Sequence, residues 1–148
     1  DVLLASKYDK HLLLRNPNHI RPWQHVIEPL YGYLLLAEKL YNGTNNNKLI
    51  SWNFGPDKSS FIKVSKVIKI FEKITKNKLK VKFSNKKKYK ETEILKLNNS
   101  KSKKFLKWKP RWDVKKSLKK TLELEMLIKQ KNSNSLFERQ IVEYLNIK

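Results

Sequence analysis

The sequence predicts an α/β chain, mixed α+β when taken as an isolated piece, with about four short strands. Three observations carry this reading. Leu30, Tyr33, Leu34, Ala37, Leu40 and Tyr41 recur at helical spacing after Pro29. Phe61, Val64, Val67, Ile68, Phe71 and Ile74 form a second such stripe, with lysines between them. From Lys78 to Phe83 the period changes to two, with Leu79, Val81 and Phe83 on one face and lysines on the other.

In chain order, Val2 to Lys7 reads as the tail of a helix. The chain opens on Asp1 rather than Met, so a fragment of a longer protein is expected. His11 to Leu14 is a short apolar run stopped by Asn16-Pro17-Asn18, and reads as a strand. Ile20 to Val26 contains Pro22, which disfavours a central strand, so an edge strand or irregular segment is expected. Pro29 suits a first helical turn, where a missing N–H costs nothing. Tyr31, Leu35 and Leu36 add apolar surface beyond the first stripe, so this helix should be covered on more than one side. Gly43 closes it, and residues 44–48 form a loop.

Leu49 to Asn53 reads as a buried strand and Phe54 to Asp57 as a turn. Ser59 or Ser60 can cap the following helix. Ser84 to Lys90 is a basic loop, and Ile94 to Leu97 a further strand. Asn99 or Ser100 can cap a short helix ending near Trp108. Asp113 caps a helix carrying Val114, Leu118, Leu122 and Met126. After a break at Lys131 to Ser135, Leu136 to Leu145 is a last amphipathic helix.

The 148 residues amount to one domain or a piece of one. With no cysteine, disulfides and thiolate metal sites are excluded. No apolar run reaches the ~20 residues that span a bilayer, and no signal peptide is read. A soluble, cytoplasmic protein with no membrane partner is expected.

The net charge of +21 is unevenly spread. Residues 1–57 carry 6 basic and 5 acidic side chains, whereas residues 58–148 carry 28 and 8. Only Arg15, Arg21, Arg111 and Arg139 are arginines, although Arg is the residue that reads bases and clamps phosphates in pairs. Two readings stay open: solvated lysines from a compositionally biased genome, or a polyanion-binding surface on residues 58–131. Aromatic residues interleave that basic segment only sparsely, which gives little support to single-strand binding.

No catalytic constellation stands out. His11, His19 and His25 lack metal-ligand spacing. The glycines are too far apart for a phosphate loop. Tyr144-x-x-x-Lys148 has the spacing of a dehydrogenase pair, but no cofactor fingerprint precedes it, so it reads as chance. Ile20-Arg21-Pro22-Trp23-Gln24-His25-Val26 is different. A guanidinium beside a rigid Pro-Trp unit offers paired donors, permanent charge and an apolar wall to a diphosphate. Equally, Arg21 could pair with Glu28 beside a core Trp.

The stretch RNPNHIRPWQHVIEPLYGYLLLAEKLY, residues 15–41, resembles the C-terminal half of the CDP-glucose 4,6-dehydratase family, extended short-chain dehydrogenase/reductases acting on a sugar nucleotide. The resemblance continues in order through Ser51 to Pro56, Lys90 to Leu97, Phe105 to Trp112 and Phe137 to Leu145. It departs from the family wording at Lys88, Lys90, Asn98 and Lys107.

The resemblance implies the substrate-binding region of such an enzyme, without its Rossmann half. The family uses NAD, held by that other half, to oxidise the sugar at C4, eliminate water across C5 and C6, and return the hydride to C6. CDP-glucose or a related nucleotide-sugar is the implied partner, and a homodimer is implied for the full-length form. Carried over by position, Arg21 should meet the diphosphate. Leu14, Arg15 and Asn16 should meet base and ribose, and Lys88 and Glu91 should fall near a second nucleotide-contacting stretch. No catalytic residue, cofactor-binding residue or metal ligand is expected in this chain. The alternatives are another nucleotide-sugar epimerase or dehydratase, or a basic nucleic-acid-binding module.

Overall fold

A computed structural model describes residues 2–43, 51–84, 91–128 and 133–146. In chain order its elements are α1 (Val2–Lys7), β1 (Leu12–Leu14), β2 (Ile20–Pro22), α2 (Ile27–Tyr41), a 3-10 turn (Lys58–Ser60), β3 (Phe61–Lys63), α3 (Val64–Thr75), β4 (Val81–Phe83), α4 (Ser100–Leu106), α5 (Val114–Ile128) and α6 (Ser133–Leu145). The chain is therefore mixed α/β, as its periodicities predict. The elements fall into two units, residues 1–22 with 61–96 and residues 23–60 with 97–148.

In the first unit β1 pairs with β4 in parallel, Leu12 opposite Val81 and Leu14 opposite Phe83. Ala5, Leu12 and Ile68 are buried, with Val2, Leu14, Leu79 and Val81 packed around them. The alternation expected from Leu79 to Phe83 holds for the first two apolar residues only. Phe83, on the last rung of the ladder, is exposed.

The strand β2 runs antiparallel to β3, with Ile20 opposite Lys63 and Arg21 opposite Ile62. On its other side Ile20 makes a single parallel bridge to Ile94, through Ile20 N–H to Glu93 O (2.9 Å) and Leu95 N–H to Ile20 O (3.1 Å). The next rung would need an N–H from Pro22, and proline has none. The strand expected over Ile94 to Leu97 is thereby reduced to that one bridge.

The serine cap expected for the second helix is also replaced. The first amides of α3 donate to carbonyls of the preceding turn: Val64 N–H to His19 O (3.0 Å) and Ser65 N–H to Pro17 O (2.9 Å). Helix ends leave such amides without intrahelical partners. The turn at residues 16–19 therefore serves as the cap, and α3 in return fixes the turn.

In the second unit Phe54, Leu106 and Trp108 are buried, with Tyr31, Leu35, Leu36 and Trp52 packed against them. The face that α2 turns inward is thus Glu28, Tyr31, Gly32, Leu35 and Leu36. The stripe that periodicity picks out, Leu30, Tyr33, Leu34, Leu40 and Tyr41, is exposed, Leu34 at 69% and Tyr41 at 92%. Both faces are apolar, so spacing could not choose between them. Gly32 chooses. A Cβ there would lie 2.3 Å from Cδ1 of Phe54, so the ring packs directly on the helix backbone.

Of the buried strand expected over Leu49 to Asn53, residues 49 and 50 lie outside the described set and 51–53 are irregular. Phe54, Gly55 and Pro56 are buried rather than a surface turn. The carbonyls of Asn53, Phe54 and Gly55 are satisfied by side chains instead of a ladder. Gln24 Nε2 donates to Phe54 O (2.8 Å), Asn99 Nδ2 to Gly55 O (2.7 Å) and Ser102 Oγ to Asn53 O (2.6 Å). Asn99 is thereby occupied, and Asn98 Oδ1 accepts the Ser100 N–H (2.9 Å) in its place. Asp113 caps α5 as expected, its Oδ1 accepting from Lys116 N–H (2.7 Å). Ser60 Oγ accepts the Val114 N–H of the same helix (3.1 Å). Among the described residues no helix is long and apolar enough to cross a membrane.

Candidate functional site

The turn Arg15 to His19 and the strand β2 place several of the expected residues together in the first unit. The His19 N–H to Asn16 O bond (3.2 Å) closes the turn. Arg21 is the centre. Its Nη1 donates to Ile20 O (2.9 Å) and Glu93 O (3.3 Å), and its Nη2 bonds His19 Nδ1 (3.0 Å) and Glu91 Oε2 (3.4 Å). A guanidinium has no acceptor. His19 Nδ1 is therefore the acceptor, and the ring proton is on Nε2.

Glu91 gathers the rest. Asn16 Nδ2 donates to its Oε2 (3.2 Å), and Arg15 Nη2 stands 3.8 Å from its Oε1. Beside this group lies a cleft of about 430 Å³ lined by Arg15, Asn16, His19, Lys63, Glu93 and Ile94 among others. The β2–β3 register sets Lys63 opposite Ile20, and its Nζ reaches Asn18 Oδ1 (3.5 Å). The cleft is thus lined by two basic residues, two asparagines and a histidine, with Glu93 also on its wall, beside an arginine whose position the backbone fixes. Such a set suits an anion carried on a polar body.

Three of the residues singled out from the sequence, Asn16, Arg21 and Glu91, are thus within one hydrogen-bonded group, and Arg15 stands in ion-pair range of the Glu91 carboxylate. Leu14 serves the strand next to it. Its side chain packs on the Ala5–Leu12–Ile68 cluster and its carbonyl accepts the Ser84 N–H (2.9 Å). Lys88 lies outside the described residues. Arg21 pairs with Glu91 rather than with Glu28, the partner weighed from the sequence. His19 and Lys63 join the site without a sequence signal. Their place follows from a turn docked on a helix and from a strand register, neither visible in local spacing.

The second unit holds another polar cluster, around Glu28, whose residue exposure is 0%. Its Oε1 accepts the N–H groups of Arg111 (2.9 Å) and Trp112 (2.7 Å), and its Oε2 the Tyr144 hydroxyl (2.6 Å). Burial pushes the Glu28 carboxyl above its usual range, against the pull of these bonds. Burial, then the hydrogen bond to Glu28, pushes the Tyr144 phenol far above its ordinary value. A phenol so held does not trade protons near neutrality. The Tyr144-x-x-x-Lys148 spacing is accordingly no dehydrogenase pair on the tyrosine side, and Lys148 lies outside the described residues.

Trp52 packs on the second core with Lys101 Nζ 4.3 Å from its ring centre. The glycines make no dinucleotide cradle. At Gly32 and Gly55 the space is taken by Phe54 and by Leu97, whose Cβ would be 2.7 Å from a Cβ on Gly55. Among the described residues no group of three or more His, Asp or Glu could hold a metal ion.

No protein-family model matches the chain. Over 119 residues, 80% of its length, the chain is 34% identical to the CDP-glucose 4,6-dehydratase of Salmonella typhimurium. The match covers 33% of that protein, so the chain spans about a third of the length of the relative it matches. The likeness is to part of a sugar-nucleotide dehydratase.

Proposed function

We propose that this chain is the nucleotide-sugar-binding part of a CDP-glucose 4,6-dehydratase. The observation that supports it best is the Arg21 guanidinium, anchored on two backbone carbonyls and bonded to His19, which lines a cleft with Arg15, Asn16 and Lys63. An arginine fixed in advance loses little freedom on meeting a diphosphate, and its planar fork donates in pairs. Asn16 is placed to bond a ribose or base edge, and the Nε2 proton of His19 is a further donor. In this reading these residues bind and orient, and the NAD-dependent chemistry falls to the Rossmann part that the resemblance implies. The glycines of this chain do not fit a dinucleotide.

Titration calorimetry with CDP and CDP-glucose tests the reading. The chain should bind both, and Arg21→Met should weaken binding at least tenfold, about 1.4 kcal/mol. No heat from a folded sample, or equal binding by the variant, overturns it.

A further inference from the structure

The geometry points to Glu91 as a resident counter-anion of the phosphate-binding group, one that a ligand's phosphates displace. Resting on the reading above, this makes Glu91 a residue that sets affinity by competing with the ligand, not by touching it.

Three observations carry the inference. First, the carboxylate faces three donors: Arg15 Nη2, Asn16 Nδ2 and Arg21 Nη2. A carboxylate so surrounded occupies the position an incoming anion would take.

Second, the contacts are long. Charge-assisted N–H to carboxylate bonds settle at about 2.7–2.9 Å, whereas Arg21 stands 3.4 Å and Arg15 3.8 Å from Glu91. The Glu91 side chain is also 36% exposed, and ion pairs open to water are worth about 0–1 kcal/mol. A carboxylate held this loosely can be displaced.

Third, Arg21 does not depend on Glu91 for its place. Its other terminal nitrogen is held by Ile20 O and Glu93 O, and the side chain is 24% exposed. Removing the carboxylate leaves the cation in position with one competitor fewer. A diphosphate brings at least two negative charges against one and has room in the neighbouring cleft.

The test uses the full chain and calorimetry with CDP, inorganic pyrophosphate and cytidine. Glu91→Gln keeps the shape and removes the charge. It should bind CDP and pyrophosphate about fivefold more tightly, the equivalent of about 1 kcal/mol, and cytidine as before. Glu91→Ala serves as a second variant, with circular dichroism confirming that each is folded. Unchanged or weaker CDP binding in both variants overturns the inference. Arg21→Met separates the two claims. If it weakens CDP binding while the Glu91 variants bind no tighter, the binding site stands and the counter-anion falls. If Arg21→Met changes nothing, or no variant binds either anion, the site and the inference fall together.

Discussion

The Tyr144 hydroxyl donates a 2.6 Å hydrogen bond to the Glu28 carboxylate, joining α6 to the start of α2 across 116 residues of sequence. Glu28 also accepts two consecutive amides, from Arg111 and Trp112, and its own carbonyl accepts the Trp108 indole N–H (3.1 Å). One acidic residue therefore ties the segment between α4 and α5 to the last helix. The Arg111 guanidinium adds to it, 5.1 Å from the ring centres of both Tyr31 and Tyr144 and bonded to the Tyr144 carbonyl. Tyr144→Phe leaves a buried carboxylate oxygen short of a donor and should cost about 1–3 kcal/mol. Glu28→Ala strands the buried Trp112 amide and the part-buried Arg111 amide and should cost more, about 2–5 kcal/mol. Urea unfolding of the single and double variants checks both, and the double variant should cost less than the sum.

Gly32 should tolerate no side chain. Alanine is normally favoured over glycine in a helix by about 1 kcal/mol. Here its Cβ would meet the Phe54 ring at 2.3–2.7 Å. That ring is buried and set edge-on to Trp108, 5.2 Å between centres. Gly32→Ala should therefore destabilise by about 1–3 kcal/mol, as overpacked cores do, measured by denaturant unfolding.

The two apolar faces of α2 should respond differently to substitution. Leu34→Ser, on the exposed face, should change stability by no more than about 0.5 kcal/mol. Leu35→Ala, against the Phe54–Trp108 core, should cost about 1–3 kcal/mol. Equal costs would reverse the assignment of the faces.

The acid side of the stability curve should carry a His25 contribution. This imidazole is buried, and its Nδ1 accepts the Ile27 N–H (3.3 Å) at the start of α2. Burial, then the positive charge of Lys120, holds it below its usual 6.5. The unfolded chain therefore takes up the proton first as pH falls. The stability His25 contributes is whole above about pH 6.5 and is lost as pH falls through the lower folded value. Burial of Glu28 acts with the opposite sign, because a raised folded pKa favours the native state below the ordinary carboxylate range. Guanidinium midpoints at pH 7.5 and 5.5 should therefore be compared with those of His25→Asn, whose side-chain oxygen can still accept the Ile27 amide. The wild type should lose more than the variant.

The helices were legible from the sequence wherever period and caps agree. The lysine-spaced stripe of α3 buries Val67, Ile68 and Phe71 as read, and Asp113 caps α5 as read. That Asn16, Arg21 and Glu91 would share one hydrogen-bonded group was not legible from local spacing, although the wording of residues 15–21 and the region around Glu91 singled them out. Where two periods competed, spacing failed. On α2 both faces are apolar, and a glycine and a buried glutamate decided which one packs.

By itself the sequence determined where the longer helices form, because period, caps and proline act within a few residues. It also determined that Arg21 stands beside a turn built on Asn16-Pro17-Asn18. Tertiary structure alone decided what those residues meet. Glu91 reaches Arg21 from 70 residues away and Tyr144 reaches Glu28 from 116. Such pairings carry no local period. They arise because a buried or half-buried charge must find donors wherever the packed chain brings them.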